Sequence, residues 1–279
     1  MHYQDDGAPG APLLVLLHGF GDSYTTWDGW TAALKDRFHI LRPDFPGHGL
    51  TQAPAGYQLT GAGLADFIAE FAFALKLPAF AVAGNSMGGG AAWQLALRHP
   101  ERIDALILVD SAGWPAAPPR GKTPLAFRIL QYPLGRAFLR NIDNRPLIRE
   151  GLRVDVFDKT LITPALVDRW AEFQRAPGHR AILMDLRLDA QAAANAADLG
   201  TLRVPTLVIN GADDILVPAE NAQKFAAAIP GARLIVYPQT GHLPQIEIPA
   251  RSAADVAAFL QAALPGPVSS GYAAPGLSR

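Results

Sequence analysis

FAVAGNSMGGGAAWQLALRHP, residues 80–100, runs from an apolar stretch straight into a helical pattern, with Ser86 at the junction between Gly84 and Gly88. Near-continuous apolarity followed by a glycine turn and an amphipathic helix reads as a buried strand feeding a helix. The spacing G-x-S-x-G fits a sharp strand-to-helix turn that holds a hydroxyl clear of the sheet. Such a turn also aims the amide of Met87 at the same space, and the helix start adds positive potential for a developing oxyanion. The plain alternative is a glycine-rich turn with Ser86 as helix N-cap.

The same form recurs outward from this point. Apolar runs ending in loops occur at 12–19, 38–49, 103–113, 205–214 and 232–242, and helical patterns occur at 26–37, 60–77, 88–102, 218–230 and 248–264. Alternating strand and helix predicts an α/β doubly wound fold, and unbroken apolarity suits a mostly parallel sheet covered on both faces. From Trp114 to Leu188 no strand is apparent, and the pieces read as helices. The expected organisation is therefore a core at 1–113 and 189–264, a helical cap at 114–188 inserted between two strands, and a flexible Pro/Gly/Ser-rich tail at 265–279. The start, MHYQDDGAPGAP, has room for at most one short extra strand.

Composition narrows the function. The 279 residues carry 24 Lys plus Arg against 25 Asp plus Glu, with no cysteine. That balance gives no electrostatic footprint for nucleic acid or an anionic membrane. Missing cysteine excludes disulfides, thiolate metal sites and Cys nucleophiles. No run approaches a membrane span, and the N-terminus lacks a leader pattern. The expectation is a soluble, cytoplasmic protein acting on a small molecule, with oligomeric state left open.

A serine nucleophile needs a base, and the base needs an orienting acid. Of seven histidines, His242 follows the last expected strand and precedes the last helix, on the sheet edge that carries Ser86. His18 and His48 sit in loops that could approach the site but also read as loop-fixing hydrogen bonders. Asp110, Asp213 and Asp214 all follow strands. The pattern Gly211-x-x-Asp214-x-x-x-Pro218 favours Asp214, with the other two as alternatives. A second oxyanion amide is available at Phe20, in the Gly-containing loop after an early strand.

His18-Gly19-Phe20-Gly21, Asp44-x-Pro46-Gly47-His48-Gly49, Gly84-Asn85-Ser86-Met87-Gly88-Gly89, Gly211-Ala212-Asp213-Asp214 with Pro218, and Gly241-His242 occur in this order. With these motifs the chain resembles the α/β-hydrolase superfamily over nearly its whole length. The resemblance implies Ser86 as nucleophile, His242 as base, Asp214 as its orienter, Phe20 and Met87 as oxyanion amides, and no metal or cofactor. Within the superfamily the elbow GNSMGG and the phrase VFDKTLITPALVDRWAEFQRAPGHR look like carboxylesterases. They also look like the hydrolases that cleave carbon–carbon bonds in meta-cleavage products, where Asn85 and Arg169 would help hold a dienoate. Two departures favour the ester reading: the loop is HGFGDSYTTW rather than HGxGPG, and Leu243 rather than tryptophan follows the histidine. The expected substrate contacts are Gly19, Asn85, Arg169, Trp170 and Leu243, within an apolar pocket that draws on Phe127, Ile129, Leu130, Leu139, Phe157 and Trp170. A catalytically silent hydrolase fold serving as a binding module is the remaining alternative.

Overall fold

The computed structural model describes residues 1–54, 56–115, 125–184 and 193–264; for Ala126 and Phe127 it describes the backbone alone. The expected tail at 265–279 and the stretches 116–124 and 185–192, the latter holding the expected end of the inserted segment at 188, lie outside the described residues.

In chain order the elements are β1 (Tyr3–Gly7), β2 (Leu13–Leu17), α1 (Asp28–Leu34), β3 (His39–Pro43), α2 (Gly61–Ala74), β4 (Phe80–Asn85), α3 (Met87–Arg98) and β5 (Ile103–Val109). Five helices follow: α4 (Leu125–Leu130), α5 (Pro133–Asn141), α6 (Arg145–Asp155), α7 (Pro164–Gln174) and α8 (His179–Met184). The chain then returns through α9 (Ala196–Leu199), β6 (Thr206–Gly211), α10 (Ala219–Ala228), β7 (Arg233–Tyr237), α11 (Pro244–Glu247) and α12 (Pro249–Ala263). The seven strands form one sheet in the order β1-β3-β2-β4-β5-β6-β7. All neighbouring pairs are parallel except β1 with β3. The N-terminal stretch thus supplies one short antiparallel edge strand, the single piece it has room for.

Strand residues alternate between two buried faces, which is why the strands read as unbroken apolar runs. Leu13, Val15 and Leu17 join Leu64, Ile68, Leu95 and Phe225 on the side of α2, α3 and α10. Leu14 and Leu16 join Trp27, Trp30, Val256 and Leu260 on the side of α1 and α12. Trp30 is fully buried, and its Nε1–H donates to Ser252 Oγ at 2.8 Å, pinning α1 to α12. Burying an apolar side chain of this size is worth roughly 1.5–3 kcal/mol, so each face is held by many such contributions. Pro100 ends α3 before the expected limit of 102, and the chain passes through a short 3-10 turn into β5.

The helices α4–α8 sit between β5 and β6 in the chain, where the sheet's carboxyl ends open. They have small cores of their own. One joins Ile148, Leu152, Val156, Val167 and Ala171 to Leu243, the residue after His242. The inserted helices therefore pack on the histidine loop itself. Gly241 permits that approach: a Cβ there would lie 2.3 Å from the carbonyl oxygen of Asp155.

Candidate active site

Ser86 stands between β4 and α3 with φ 52° and ψ −114°, a left-handed conformation that a non-glycine residue adopts at a cost of roughly 1–3 kcal/mol. Its backbone is fixed on three sides: its amide donates to Val109 O, and its carbonyl accepts from Gly90 and Ala112, each at 3.0 Å. The flanking glycines are required by close approach. A Cβ on Gly84 would lie 2.2 Å from Gly88 O, and one on Gly88 would lie 2.3 Å from Leu17 O. These contacts press the start of α3 against β2 and β4, leaving Ser86 at the rim. Met87 opens α3, so its amide belongs to the helix's first turn, where N–H groups lack intrahelical acceptors.

His242 lies in the loop after β7, 5% exposed, and its Nδ1–H donates to Asp214 Oδ2 at 2.6 Å. Asp214 Oδ1 accepts from the amides of Leu216 (2.8 Å) and Val217 (2.9 Å), so the carboxylate is locked before it meets the imidazole. Of the three expected acids, Asp214 is the one bonded to the imidazole. Asp213 is exposed. Asp110 is fully buried behind the pair, its Oδ1 accepting from the Gly211 amide at 2.9 Å. Burial and the Asp214 charge push Asp110 well above the usual carboxylate range. Burial alone would lower the His242 pKa. The charge and hydrogen bond of Asp214, with further charge from Asp155 and Glu247, outweigh it, and the net shift is upward. Ligand atoms of Asp110, Asp214 and His242 lie within 4.8 Å of one another. Within this cluster His242 Nδ1 and Asp214 Oδ2 are already bonded to each other.

Ser86 and His242 line one cavity of about 160 Å³ together with Gly19, Phe20 and Asn85. The cavity's other walls come largely from the inserted helices: Leu130, Leu139, Ile148, Leu152, Trp170 and Leu183. Asn85 is held by bonds from its Nδ2 to Val109 O (3.3 Å) and His242 O (3.0 Å), which tie the serine turn to the histidine loop. Roof and floor are also joined through Gln174. It donates to Gly21 O at 3.0 Å and accepts from Asn144 Nδ2 at 2.7 Å.

Among the described residues the cavity brings together most of the expected contacts: Gly19, Phe20, Asn85, Ser86, Trp170, His242 and Leu243. Met87 is not among the lining residues, and Asp214 stands behind His242. Arg169 is placed elsewhere. Its guanidinium is 47% exposed and pairs with Asp28 at 3.4 Å. Successive helix residues point about 100° apart, so with Trp170 turned to the cavity its neighbour faces away. Of the expected apolar lining, Leu130, Leu139 and Trp170 contribute, whereas Ile129 and the 43%-exposed Phe157 do not. The side chain of Phe127 lies outside the described residues.

Two other histidines, His18 and His2, fix loops. His18 Nδ1–H donates to Gly19 O (2.8 Å) while Nε2 accepts from the Phe45 amide (3.0 Å), and burial lowers its pKa. Asp44 accepts from the Tyr24 and Leu50 amides and bonds His2, which fixes the DFPGHG loop. Sequence reasoning missed three acids. Glu247 accepts from the amides of Gly241 (2.8 Å) and Phe157 (2.6 Å), clasping the histidine loop to the end of α6. Asp22 and Asp155 both line the cavity. Asp22 stands inside the quoted HGFGDS loop, whereas Asp155 ends α6 with no motif to mark it.

A family model described as alpha/beta hydrolase fold matches residues 12–249. The 2-hydroxymuconate semialdehyde hydrolase of Pseudomonas sp. (strain CF600) is 32% identical over 271 residues, covering 91% of this chain and 88% of that one. The pimeloyl-[acyl-carrier protein] methyl ester esterase of Nitrosomonas europaea is 30% identical over 250 residues, covering 85% of this chain and 91% of the other. Among solved structures, a meta-cleavage product hydrolase from Pseudomonas fluorescens IP01 superposes with a TM-score of 0.81 at 27% identity, with 94% of each chain covered. Motif order, sheet topology and these likenesses agree: the chain belongs to the α/β-hydrolase family.

Proposed function

We propose that this protein is a serine hydrolase that cleaves small to medium, largely apolar carboxylic esters through an acyl-enzyme. Ser86 Oγ attacks the ester carbonyl while His242 takes its proton, and the tetrahedral oxyanion is met by the amides of Phe20 and Met87. Collapse expels the alcohol, which receives the proton from His242. Water, deprotonated by His242, then releases the acid and frees Ser86. Asp214 holds the imidazole in the required tautomer. The inserted helices α4–α8 act as a cap that shapes the acyl and alcohol sites and keeps bulk water out.

The observation that carries the ester reading is the cavity's chemistry. Beside Ser86 and His242 it is mostly aliphatic, and its only charged groups among the described residues besides His242 are the acids Asp22 and Asp155. Such a site accepts a neutral ester and repels an anionic one. The second reading is carbon–carbon bond hydrolysis of a meta-cleavage product. It is favoured by the names of the Pseudomonas relatives and by Asn85 and Trp170 at the cavity. A dienoate needs a cationic partner, and Arg169 is engaged with Asp28 instead. Comparing kcat/KM for 4-nitrophenyl esters of graded length with that for a vinylogous diketo acid separates the two. Ester turnover without comparable diketo-acid cleavage is expected; a strong preference for the diketo acid overturns the ester reading.

A further inference from the structure

Two carboxyls in the cavity have no part in the reaction just described. Asp22, in the loop after β2, is 4% exposed; its Oδ1 accepts from the Ser23 amide at 2.7 Å and its Oδ2 is buried without a hydrogen-bond partner. Asp155 ends α6 in the helical wall, where its main-chain oxygen accepts from the His242 amide at 2.5 Å, and it lines the same cavity. Burial pushes Asp22 up to about 7, against the nearby Thr26 hydroxyl and Ser23 amide, with the charges of Asp44 and Asp155 adding to the rise. Burial likewise pushes Asp155 up to about 7; His242 and Lys159 oppose this, and Asp214 and Glu150 reinforce it.

A buried carboxyl with an unsatisfied oxygen is expensive to keep, and an amide of the same shape would avoid the charge. The charge of Asp155 adds to the rise of Asp22, both residues line the mostly apolar cavity, and no Lys or Arg stands among its described lining residues. Trp170, of the aromatic type best suited to facing a cation, lies on the same lining. A cationic ligand would bring into the lining a positive charge that no described Lys or Arg places there.

We propose that Asp22 and Asp155 form a cation subsite, so that the preferred substrates are esters carrying an ammonium group. This rests on the ester reading above. A bound cation favours the ionised carboxylates and so offsets the desolvation that their ionisation costs, whereas a neutral isostere of the same shape gains none of this. Anionic esters are disfavoured by the same two groups.

Choline and its uncharged isostere 3,3-dimethylbutan-1-ol test the subsite directly, each as an inhibitor of 4-nitrophenyl butanoate hydrolysis at about pH 8, where both carboxyls ionise readily. In the full-length protein choline is expected to inhibit at a concentration about tenfold or more below that of the alcohol, equivalent to about 1.4 kcal/mol. That gap is expected to shrink toward one in Asp22→Asn and in Asp155→Asn. Thermal melting of each variant reports folding, and if one fails to fold the other carries the comparison. Equal inhibition by the two probes in the parent protein, or a gap unchanged in the folded variants, overturns the proposal while leaving the ester reading intact. If no ester is hydrolysed at all, the ester reading fails by itself. The subsite is then read from melting: a rise in Tm with choline and none with the alcohol supports it, and no difference overturns it.

Discussion

The floor and the roof of the cavity are built from different materials. On the floor, at the carboxyl ends of β4–β7, Asp110, Asp214 and His242 are 0–5% exposed and held by short bonds to buried backbone. On the roof, α5 leaves Leu134 86% and Phe138 58% exposed, and its helices bury only small clusters. The floor has little room to relax, since each reactive group is set by close backbone contacts. The roof touches it through a few clasps: Gln174 to Gly21, Asp155 to His242, and Glu247 to Phe157. In the proposed mechanism chemistry falls to the rigid part, and selectivity to the part that can vary with little penalty to folding.

Changes on the floor are expected to have the largest effects. Ser86→Ala removes the proposed nucleophile while keeping the backbone, so kcat should fall by at least about 10³-fold with Tm nearly unchanged. Retention of full ester turnover would break the assignment. Gly88→Ala drives a methyl group into Leu17 O, for which β2 and α3 must part. A loss of roughly 2–4 kcal/mol in denaturant unfolding is expected, and a neutral result would mean the turn is looser than its contacts imply.

A subtler effect joins the two regions. The His242 pKa is raised by its acidic neighbours, so the acid limb of the kcat/KM profile should lie above the ordinary histidine value of ~6.5. Activity needs the neutral imidazole and is lost as pH falls through that raised value. Asp155→Asn removes one of the raising charges and should move the limb toward lower pH. A limb that stays in place would remove Asp155 from the electrostatics of the site. The smallest effect belongs to the outer roof. Leu134→Ser on α5 should change stability by no more than about 0.5 kcal/mol and leave kcat/KM unaltered, as measured by denaturant unfolding and ester turnover. A larger loss would show that this exposed face is covered by something in solution.

The same contrast explains what the sequence reveals. The strands, the serine turn and His242 are legible because a doubly covered sheet demands unbroken apolar runs, and a strained turn demands glycine on both flanks. Asp214 emerges from its neighbours only once the imidazole is seen to bond it; Asp110 and Asp213 follow strands equally well. Arg169 and Trp170 adjoin on α7, and residue order alone does not say which of the two turns inward. Asp155 gives no local signal, because its place beside His242 depends on how α6 docks against a loop formed much later in the chain. Asp22 stands within a quoted motif, yet only its burial and its partnerless oxygen set it apart from an ordinary loop acid.

The central claim is that Ser86 is activated by the His242–Asp214 pair, and active-site labelling tests it most directly. Intact folded protein treated with a fluorophosphonate should gain a single adduct, mapped by peptide mass spectrometry to Ser86, and His242→Ala should label far more slowly. A folded protein that stays unmodified, or an adduct on another residue with Ser86 untouched, would contradict the account.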